Sequence, residues 1–388
     1  MLPYSRQHIT KKDIKAVIDV LKSDFITQGP KVDEFEKKIC SLVKSKYSVA
    51  VNSATSALHI ACLSLGLKKG DHLWTTTNTF VASANCAKYC GAKVKFLDID
   101  KDSYNLSYED LLQELHKAKK KKILPKILVV VHLAGLPAPM KKIRLLSRKF
   151  KFKIIEDSSH ALGASISGTM IGSCKYSDIC VFSFHPVKII TTGEGGAATT
   201  NDINIKKKLM LLREHGIERY SFKNKVKASN KWYYEQQLLG YNYRMSDIHA
   251  ALGLSQLSRL RNIIKKRNQV ANNYFKLLKD LPIKLPIKPK KDICSFHLFI
   301  IQINPKKTQI KRDQLFSFLR KNRIYTNLHY SPVHLHPFYF KKNERKMQNA
   351  IFYGDNSLSI PVYEELNLKS QIKIVSIIKK GLKIEKNI

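Results

Sequence analysis

The chain has few acidic residues, few cysteines and no long hydrophobic run, and each shortage limits what the protein can be. The seven cysteines match no zinc or Cys-x-x-Cys spacing, which indicates reduced thiols in a cytoplasmic protein. No run reaches the roughly 18 apolar residues of a membrane span, and residues 1–10 lack a signal-peptide layout. The spacing of His329, His334 and His336 fits no common metal-ligand pattern. We therefore expect a cytoplasmic protein with no membrane partner and no bound metal.

The shortage of acidic residues leaves a large positive charge. Lys and Arg number 69 against 30 Asp and Glu, so the formal net charge is +39. Such a balance can indicate nucleic-acid binding, but here the basic residues are spread along the whole chain. Ile, Asn and Lys are all abundant, as expected where codons are A/T-rich. We predict no nucleic-acid partner, although a positive field would attract a substrate that carries phosphates.

Hydrophobic residues make up 44% of the chain, and their pattern predicts an α/β fold. Short apolar runs that read as strands lie at 47–51, 94–99, 127–131, 153–156 and 179–184. They alternate with helix-period segments, and consecutive apolar residues are typical of strands covered on both faces. Near the N-terminus, Thr10 and Asp13 predict a helix start, and an apolar helical face follows at Ile14, Val17, Ile18 and Leu21.

A change of pattern near residue 260 predicts a second, smaller domain. A long basic stretch of helical period runs from Arg259 to Asp280, and Pro282, Pro286 and Pro289 follow as a hinge. Strand and helix patterns are mixed in the remainder, which ends in a lysine-rich helix. We expect a large α/β domain over 1–260 and a smaller α+β domain over 261–388.

Small hydroxylated residues and one aromatic residue follow the first strands. In open α/β sheets, ligands bind outside the carboxyl ends of the strands. The segment 52–57, Asn-Ser-Ala-Thr-Ser-Ala, leads into a helix and could bind an anion through its amides and hydroxyls. Helix capping is the simpler explanation of the same residues, because Ser and Thr cap helices routinely. Phe80 follows the next such segment, where a core residue is the simpler explanation and a cofactor platform the functional one.

An aspartate and a lysine follow two later strands. Asp157 ends the 153–156 run and could cap a helix or pair with a cationic ring nitrogen. Lys188 lies between an apolar strand and a glycine-rich loop, where desolvation would make its amine a better nucleophile. Ser183, just before it, could reach the same anion as Thr55 and Ser56. Anion site, aromatic ring, carboxylate and amine together predict pyridoxal phosphate, with the aldehyde joined to Lys188 as a Schiff base.

At these residues the sequence resembles the DegT/DnrJ/EryC1 family of sugar aminotransferases. The matching stretches are Phe25-Ile26-Thr27-Gln28-Gly29-Pro30, Asn52 to Leu58, Glu156 to Gly163, Ser183-Phe184-His185-Pro186-Val187-Lys188, Gly193-Glu194-Gly195-Gly196, Gly240 to Arg244 and His329 to Pro332. The resemblance implies the type I fold of aspartate aminotransferase, with a large domain built on a mostly parallel seven-stranded sheet. Relatives with histidine in place of the lysine are dehydratases, so Lys188 favours transamination.

The resemblance also implies roles for individual residues. Lys188 is the catalytic residue, Asp157 pairs with the pyridine nitrogen, His160 lies near the ring hydroxyl, and Asn242 reaches the phosphate in the partner subunit. The expected cofactor-binding residues are Ala54, Thr55, Ser56, Phe80, Asp157, His160, Ser183 and Asn242. The expected substrate-binding residues are Tyr4, Asp24, Phe25, Ile26, Thr27, Asn327, Leu328, His329 and Tyr330.

The amino-acid sequences of these motifs are typical of the branch of the family that leads to pseudaminic acid. This implies a UDP-linked 4-keto-6-deoxy-N-acetylhexosamine as acceptor, L-glutamate as amino donor and a homodimer with shared active sites. The alternative is a sister aminotransferase for another nucleotide-linked keto sugar, such as a dTDP-sugar. Fold and cofactor would then be unchanged, and the pocket residues alone would differ.

Overall fold

The computed structural model describes residues 1–218, 232–308, 310–342 and 345–382, and its centre is a seven-stranded sheet. The strands are β1 (Tyr47–Val51), β2 (His72–Thr76), β3 (Lys93–Leu97), β4 (Ile127–Val131), β5 (Lys153–Asp157), β6 (Ser165–Ile166), β7 (Thr169–Met170), β8 (Ile179–Ser183), β9 (Gly196–Thr200), β10 (Ile217–Glu218), β11 (Glu235–Gln236), β12 (Ile283–Lys284), β13 (Phe299–Ile303) and β14 (Ser357–Ile360). The helices are α1 (Lys11–Leu21), α2 (Pro30–Val43), α3 (Ala54–Ser64), α4 (Ala82–Tyr89), α5 (Tyr108–Lys120), α6 (Met140–Phe150), α7 (Ile203–Arg213), α8 (Asp247–Ser258), α9 (Leu260–Leu277), α10 (Pro305–Thr308), α11 (Arg312–Lys321), α12 (Gln348–Asn356) and α13 (Leu368–Leu382).

The large sheet is mostly parallel, as predicted. Its strand order is β1-β9-β8-β5-β4-β2-β3, and β9 alone runs antiparallel to its neighbours. All five strands predicted from apolar runs are present, within a residue or two at each end. Strands β2 and β9 have sequences His-Leu-Trp-Thr-Thr and Gly-Ala-Ala-Thr-Thr, so they contain no long apolar run. They are strands because they are buried between neighbours that satisfy their main-chain groups.

Helices cover both faces of this sheet because alternate strand residues point to opposite sides. On β4, Ile127 and Val129 pack in the core that contains α3 and α7. Leu128 and Val130 pack in a second core with α5 and α6. Helices α2 and α8 cover the remaining part of that second face. The carboxyl ends of the parallel strands are thereby held at one edge of a rigid layer.

Helix α1 begins as predicted but does not bury the predicted apolar stripe. Thr10 and Asp13 form the expected capping box. Asp13 is fully buried and accepts hydrogen bonds from Gln256 Nε2 at 2.9 Å and Arg259 Nη2 at 3.0 Å. Ile14, Ile18 and Leu21 remain 42–56% exposed because no described part of this chain covers them. The helix is attached through these polar contacts and through the buried side chain of Val20, and its apolar stripe faces outward.

The C-terminal part has its own core. It contains α9, α11, α13 and a three-stranded antiparallel sheet in the order β12-β13-β14. Helix α9 begins at Leu260, where the predicted boundary between 1–260 and 261–388 falls. The separate core supports that division, which stays a prediction. Within the described ranges, no helix combines the length and apolarity needed to cross a bilayer.

Candidate active site

A cavity of about 600 Å³ opens at the carboxyl ends of the parallel strands. Its walls come from the segments that follow β1, β2, β5 and β8 and from residues 327–330. Twelve of the predicted site residues line it: Tyr4, Ala54, Thr55, Phe80, Asp157, His160, Ser183, Lys188, Asn327, Leu328, His329 and Tyr330. Residues that are distant in the sequence therefore meet in one place.

Lys188 reaches the cavity from the turn after β8. The main-chain N–H of Lys188 donates to the carbonyl of His185 at 2.9 Å, which fixes the turn. Burial lowers the pKa of the Lys188 amine to about 8, and the negative charge of Asp157 limits the decrease. An amine with this pKa is neutral in roughly a tenth of molecules at pH 7, far more often than an ordinary lysine. Lys188 is therefore a competent nucleophile toward a carbonyl group.

Asp157 ends β5 and is 6% exposed. Its Oδ1 accepts hydrogen bonds from the main chain of Ser159 at 3.1 Å and from the Ser159 hydroxyl at 2.6 Å. Its Oδ2 accepts from the Ser83 hydroxyl at 2.6 Å. These donors compensate the cost of burying a carboxylate. A carboxylate held at the bottom of a cavity in this way can pair with a cationic group of a ligand.

The N-terminus of α3 forms an anion site on the wall of the cavity. The Ser53 hydroxyl caps the helix by accepting from the Ser56 main chain at 3.1 Å. Ala54 and Thr55 face the cavity, and Ser183 joins them from the end of β8. Gly196 lies so close that an added Cβ would be 2.5 Å from the Ala54 nitrogen. The free N–H groups and the helix dipole favour a phosphate here.

Ser56 does not line the cavity, although its phosphate role was predicted. Its hydroxyl donates to Asn52 Oδ1 at 2.6 Å and lies 3.0 Å from the Ser53 hydroxyl. Both contacts stabilise the start of α3. Its contact with an anion stays a prediction.

Phe80 is not a core residue. It is 56% exposed and lines the cavity, with its ring centroid 5.9 Å from that of Tyr330. The expectation that Phe80 is a core residue is therefore wrong. An exposed aromatic face inside a cavity can stack on a flat ligand.

His160 and His329 are neutral members of the cavity wall. His160 Nδ1 accepts from the Ala134 main chain at 3.3 Å, so the ring proton is on Nε2, 3.1 Å from Tyr330 Oη. Burial lowers the pKa of His160 well below its usual value, and the positive charge of Lys188 acts in the same direction. Burial also lowers the pKa of His329 to about 3. Both rings can therefore donate or accept hydrogen bonds without adding charge.

The other predicted residues lie away from the cavity of their own chain. Asp24, Phe25, Ile26 and Thr27 are exposed, and the first two border a separate groove beside α1 and α8. The main chain of Ile26 accepts from Asp247 at 3.0 Å, which fixes this segment on the surface. Asn242 is also exposed. Their predicted roles require a cavity in another copy of the chain and stay predictions.

The cavity also contains residues that the sequence patterns did not mark. Ser53, Ser159, His185 and Glu194 lie inside the motif stretches, where their chain positions could have suggested them. Thr79 also follows β2, and Ser83 lies behind Asp157. His297 comes from the C-terminal part, just before β13, and no local pattern marks it. Among the described residues, no group of His, Cys, Asp or Glu is arranged to bind a metal.

Pyridoxal phosphate has an aldehyde, a basic ring nitrogen, a flat ring and a phosphate. The Lys188 amine, the Asp157 carboxylate, the Phe80 face and the N-terminus of α3 offer one partner for each group within a single cavity. Fold and site together define a pyridoxal-phosphate-dependent transferase of fold type I. The chain belongs to the DegT/DnrJ/EryC1/StrS aminotransferase family, whose model matches residues 7–379.

Individual relatives agree with this assignment. The chain is 39% identical over 371 residues to the UDP-4-amino-4,6-dideoxy-N-acetyl-β-L-altrosamine transaminase of Campylobacter jejuni serotype O:2, covering 95% of this chain and 94% of the relative. It superposes on Helicobacter pylori PseC, an aminotransferase involved in the biosynthesis of pseudoaminic acid, with a TM-score of 0.89, 31% identity and 99% of each chain covered. For Spr1654 from Streptococcus pneumoniae in its PMP form, the TM-score is 0.89 with 27% identity, covering 99% of this chain and 100% of that chain. The protein is a sugar aminotransferase with pyridoxal phosphate as its cofactor.

Proposed function

We propose that the protein transfers the amino group of L-glutamate to a UDP-linked 4-keto-6-deoxy-N-acetylhexosamine. The product would be UDP-4-amino-4,6-dideoxy-N-acetyl-β-L-altrosamine, a step towards pseudaminic acid. The observation that carries the proposal is the meeting of Lys188 and Asp157 in one cavity beside an anion site. The similarity to the Campylobacter transaminase and to PseC supports the choice of sugar.

Each predicted site residue has a proposed part in this reaction. When bound, pyridoxal phosphate supplies an electron-poor ring that withdraws electrons from the carbon next to the substrate nitrogen. Lys188 would hold the cofactor and, once displaced, take a proton at Nζ from that carbon and return it. Asp157 would keep a proton on the ring nitrogen. The residues proposed to hold phosphate are Thr55, Ser56, Ser183 and, from the partner, Asn242.

The remaining residues would orient the ligands. Phe80 would stack on the cofactor ring, His160 would lie beside the ring hydroxyl, and Ala54 would contact cofactor and sugar. The proposed sugar-nucleotide contacts are Tyr4, Asp24, Phe25, Ile26, Thr27, Asn327, Leu328, His329 and Tyr330. The exposed position of residues 24–27 supports a contribution across a subunit boundary.

We further propose a homodimer with shared active sites. Ile14, Ile18 and Leu21 form an exposed apolar stripe that continues to Phe25 and Ile26. Contiguous apolar patches of this kind mark interaction surfaces. A second copy that covers the stripe would bring each chain's residues 24–27 and Asn242 to another cavity, where their proposed contacts become possible.

The decisive experiment is reductive trapping at Lys188. Borohydride treatment of the cofactor-loaded enzyme should attach one pyridoxyl group to Lys188, identified by peptide mass spectrometry. Lys188→Ala should carry no label and lose about 10³-fold or more in turnover, because the nucleophile and the proton carrier are the same amine. Lys141→Ala, at an exposed lysine of α6, is the matched control and should behave as wild type. Full turnover of Lys188→Ala would refute the proposal.

A substrate panel separates the proposed sugar from its alternative, a keto sugar linked to another nucleotide such as dTDP. Purified enzyme with L-glutamate should form 2-oxoglutarate and amino sugar fastest with the UDP-4-keto-6-deoxy-N-acetylhexosamine. A preference for a dTDP-linked ulose would assign the protein to a sister activity while leaving cofactor and fold unchanged. No turnover with glutamate, but turnover with another amino acid, would correct the donor.

A further inference from the structure

His297 lies in the cavity although it comes from the C-terminal part of the chain. It precedes β13, is 1% exposed and lines the same cavity as Lys188. Its main-chain N–H donates to the carbonyl of Ala134 at 2.9 Å, which ties it to the turn after β4. An imidazole at this depth is costly unless its contacts compensate. The contacts of the ring therefore indicate its role.

The ring of His297 packs against the ring of His160. The two ring centroids are 4.3 Å apart, with an angle of 38° between the planes. The centroid of Tyr330 lies 6.0 Å from that of His160, with an angle of 24° between the planes, and Tyr330 Oη is 3.1 Å from Nε2 at the edge of the His160 ring. His160 thus contacts two aromatic rings, and His297 is the nearer one. Contacts of this kind between π-systems favour a fixed relative orientation.

A tight turn fixes the main chains of both histidines. Ala134 donates its N–H to His160 Nδ1 at 3.3 Å and accepts from the main chain of His297. Gly135 has φ of +88°, and an added Cβ would lie 2.8 Å from the His160 carbonyl oxygen and 3.2 Å from the Phe296 nitrogen. No other residue type fits this turn without displacing one of the two segments. The spacing of the two rings is therefore set by the backbone.

His297 is held without charge. Its Nδ1 is buried and has no hydrogen-bond partner, so a proton there would be an unsatisfied buried donor. Burial lowers the pKa of His297 well below its usual value, and repulsion from the neighbouring cations Lys188 and Arg267 acts in the same direction. A neutral ring with its proton on Nε2 satisfies both conditions.

We propose that His297 is a positioning residue whose flat, uncharged ring orients His160, so that His160 presents Nε2–H to the cavity. His297 acts through His160 and does not need to touch the reacting atoms. This inference rests on the proposed function, in which His160 lies beside the ring hydroxyl of the cofactor. A change at His297 should then alter how the cofactor is bound before it alters folding.

The test compares two substitutions that differ in shape and not in charge. His297→Phe keeps a flat ring against His160, whereas His297→Leu removes the ring and keeps an apolar side chain. We expect the pH midpoint of the bound cofactor's absorbance change to shift by about one pH unit in His297→Leu, with about tenfold weaker cofactor binding. His297→Phe should stay within about twofold of wild type in binding, because the stacking is retained. His116→Leu is the control. It also removes a histidine ring beside an aromatic ring, with the centroids of His116 and Phe150 5.4 Å apart, but at an exposed position away from the cavity.

Either of two results would overturn the inference. If His297→Leu matched wild type, His160 would need no support from this ring. If His297→Phe were as impaired as His297→Leu, a nitrogen of His297 would act directly. Circular dichroism and thermal melting test the fold of each variant.

Should His297→Leu not fold, the ¹⁵N spectrum of histidine-labelled enzyme decides. An unchanged His160 tautomer in His297→Phe supports the inference, and a changed tautomer refutes it. Borohydride labelling of wild-type Lys188 tests the proposed function separately.

Discussion

The cavity and the outer face of α1 differ in whether their side chains find partners within the same chain. In the cavity, the buried carboxylate of Asp157 has partners from the same chain, Ser83 and Ser159. On the outer face, Ile14, Ile18 and Leu21 are apolar and exposed, without a cover from the described part of the chain. Burying polar groups requires hydrogen-bond partners, whereas a contiguous exposed apolar patch indicates a surface that a second molecule can cover. The cavity is therefore largely complete within one chain, and the outer face is not.

The largest expected effect tests whether the cavity chemistry is complete. Asp157→Asn keeps the size of the side chain and removes the negative charge. We expect turnover to fall about 10³-fold, because the ring nitrogen would lose the partner that keeps it protonated. Steady-state kinetics and the absorbance spectrum of the bound cofactor measure this. Asp178→Asn, at a carboxylate paired with Arg144 and Lys153 away from the cavity, should retain turnover. Near-normal activity of Asp157→Asn would remove the aspartate from the mechanism.

The next effect tests whether the outer face and Asn242 serve a second copy. Lys188→Ala and Asn242→Ala should each be nearly inactive alone. Mixed subunits, unfolded and refolded together, should regain about a quarter of the wild-type activity, because one site in each mixed dimer has both residues. The measurement is activity against mixing ratio. No recovery, in a mixture shown by mass spectrometry to contain mixed dimers, would place Asn242 in its own chain's site.

The pH dependence of cofactor capture probes the electrostatics of the cavity. The pKa of Lys188 is lowered to about 8, and only the neutral amine attacks an aldehyde. The rate at which apoenzyme combines with pyridoxal phosphate should rise about tenfold per pH unit below that value and level off above it. Asp157→Asn should move the plateau to lower pH, because the aspartate charge raises the pKa of Lys188. A profile centred near the ordinary lysine pKa would show that the amine is not desolvated.

The smallest effect concerns how α1 is held. Thr10→Ala removes the capping hydroxyl that accepts from the Asp13 main chain at 3.3 Å. The loss should be about 1 kcal/mol of unfolding free energy, measured with denaturant. Lys12→Ala, two residues further along the chain at an exposed position, should change stability little. Turnover should be unaffected in both variants, since α1 lies outside the cavity. A large loss of turnover in Thr10→Ala would connect the two regions more closely than the structure suggests.

Burial explains which strands and which helix face could be predicted from the sequence. Strands of consecutive apolar residues such as 127–131 were predictable, because burial on both faces demands that composition. Strands β2 and β9 were not, because their sequences contain no long apolar run. The α1 stripe was read correctly as an apolar face, but periodicity cannot say whether the cover comes from the same chain.

The sequence by itself determined the class of fold and the family, and it marked Lys188 and Asp157 as the candidate pair, because strand ends and motif order are local properties of the chain. Only the tertiary structure decided that Phe80 faces a ligand space and that Ser83 serves Asp157. It also decided that His297, over a hundred residues beyond His160, packs on that ring. Those contacts join residues that are far apart in the chain and meet only when the chain is folded. No local pattern of side chains predicts these contacts.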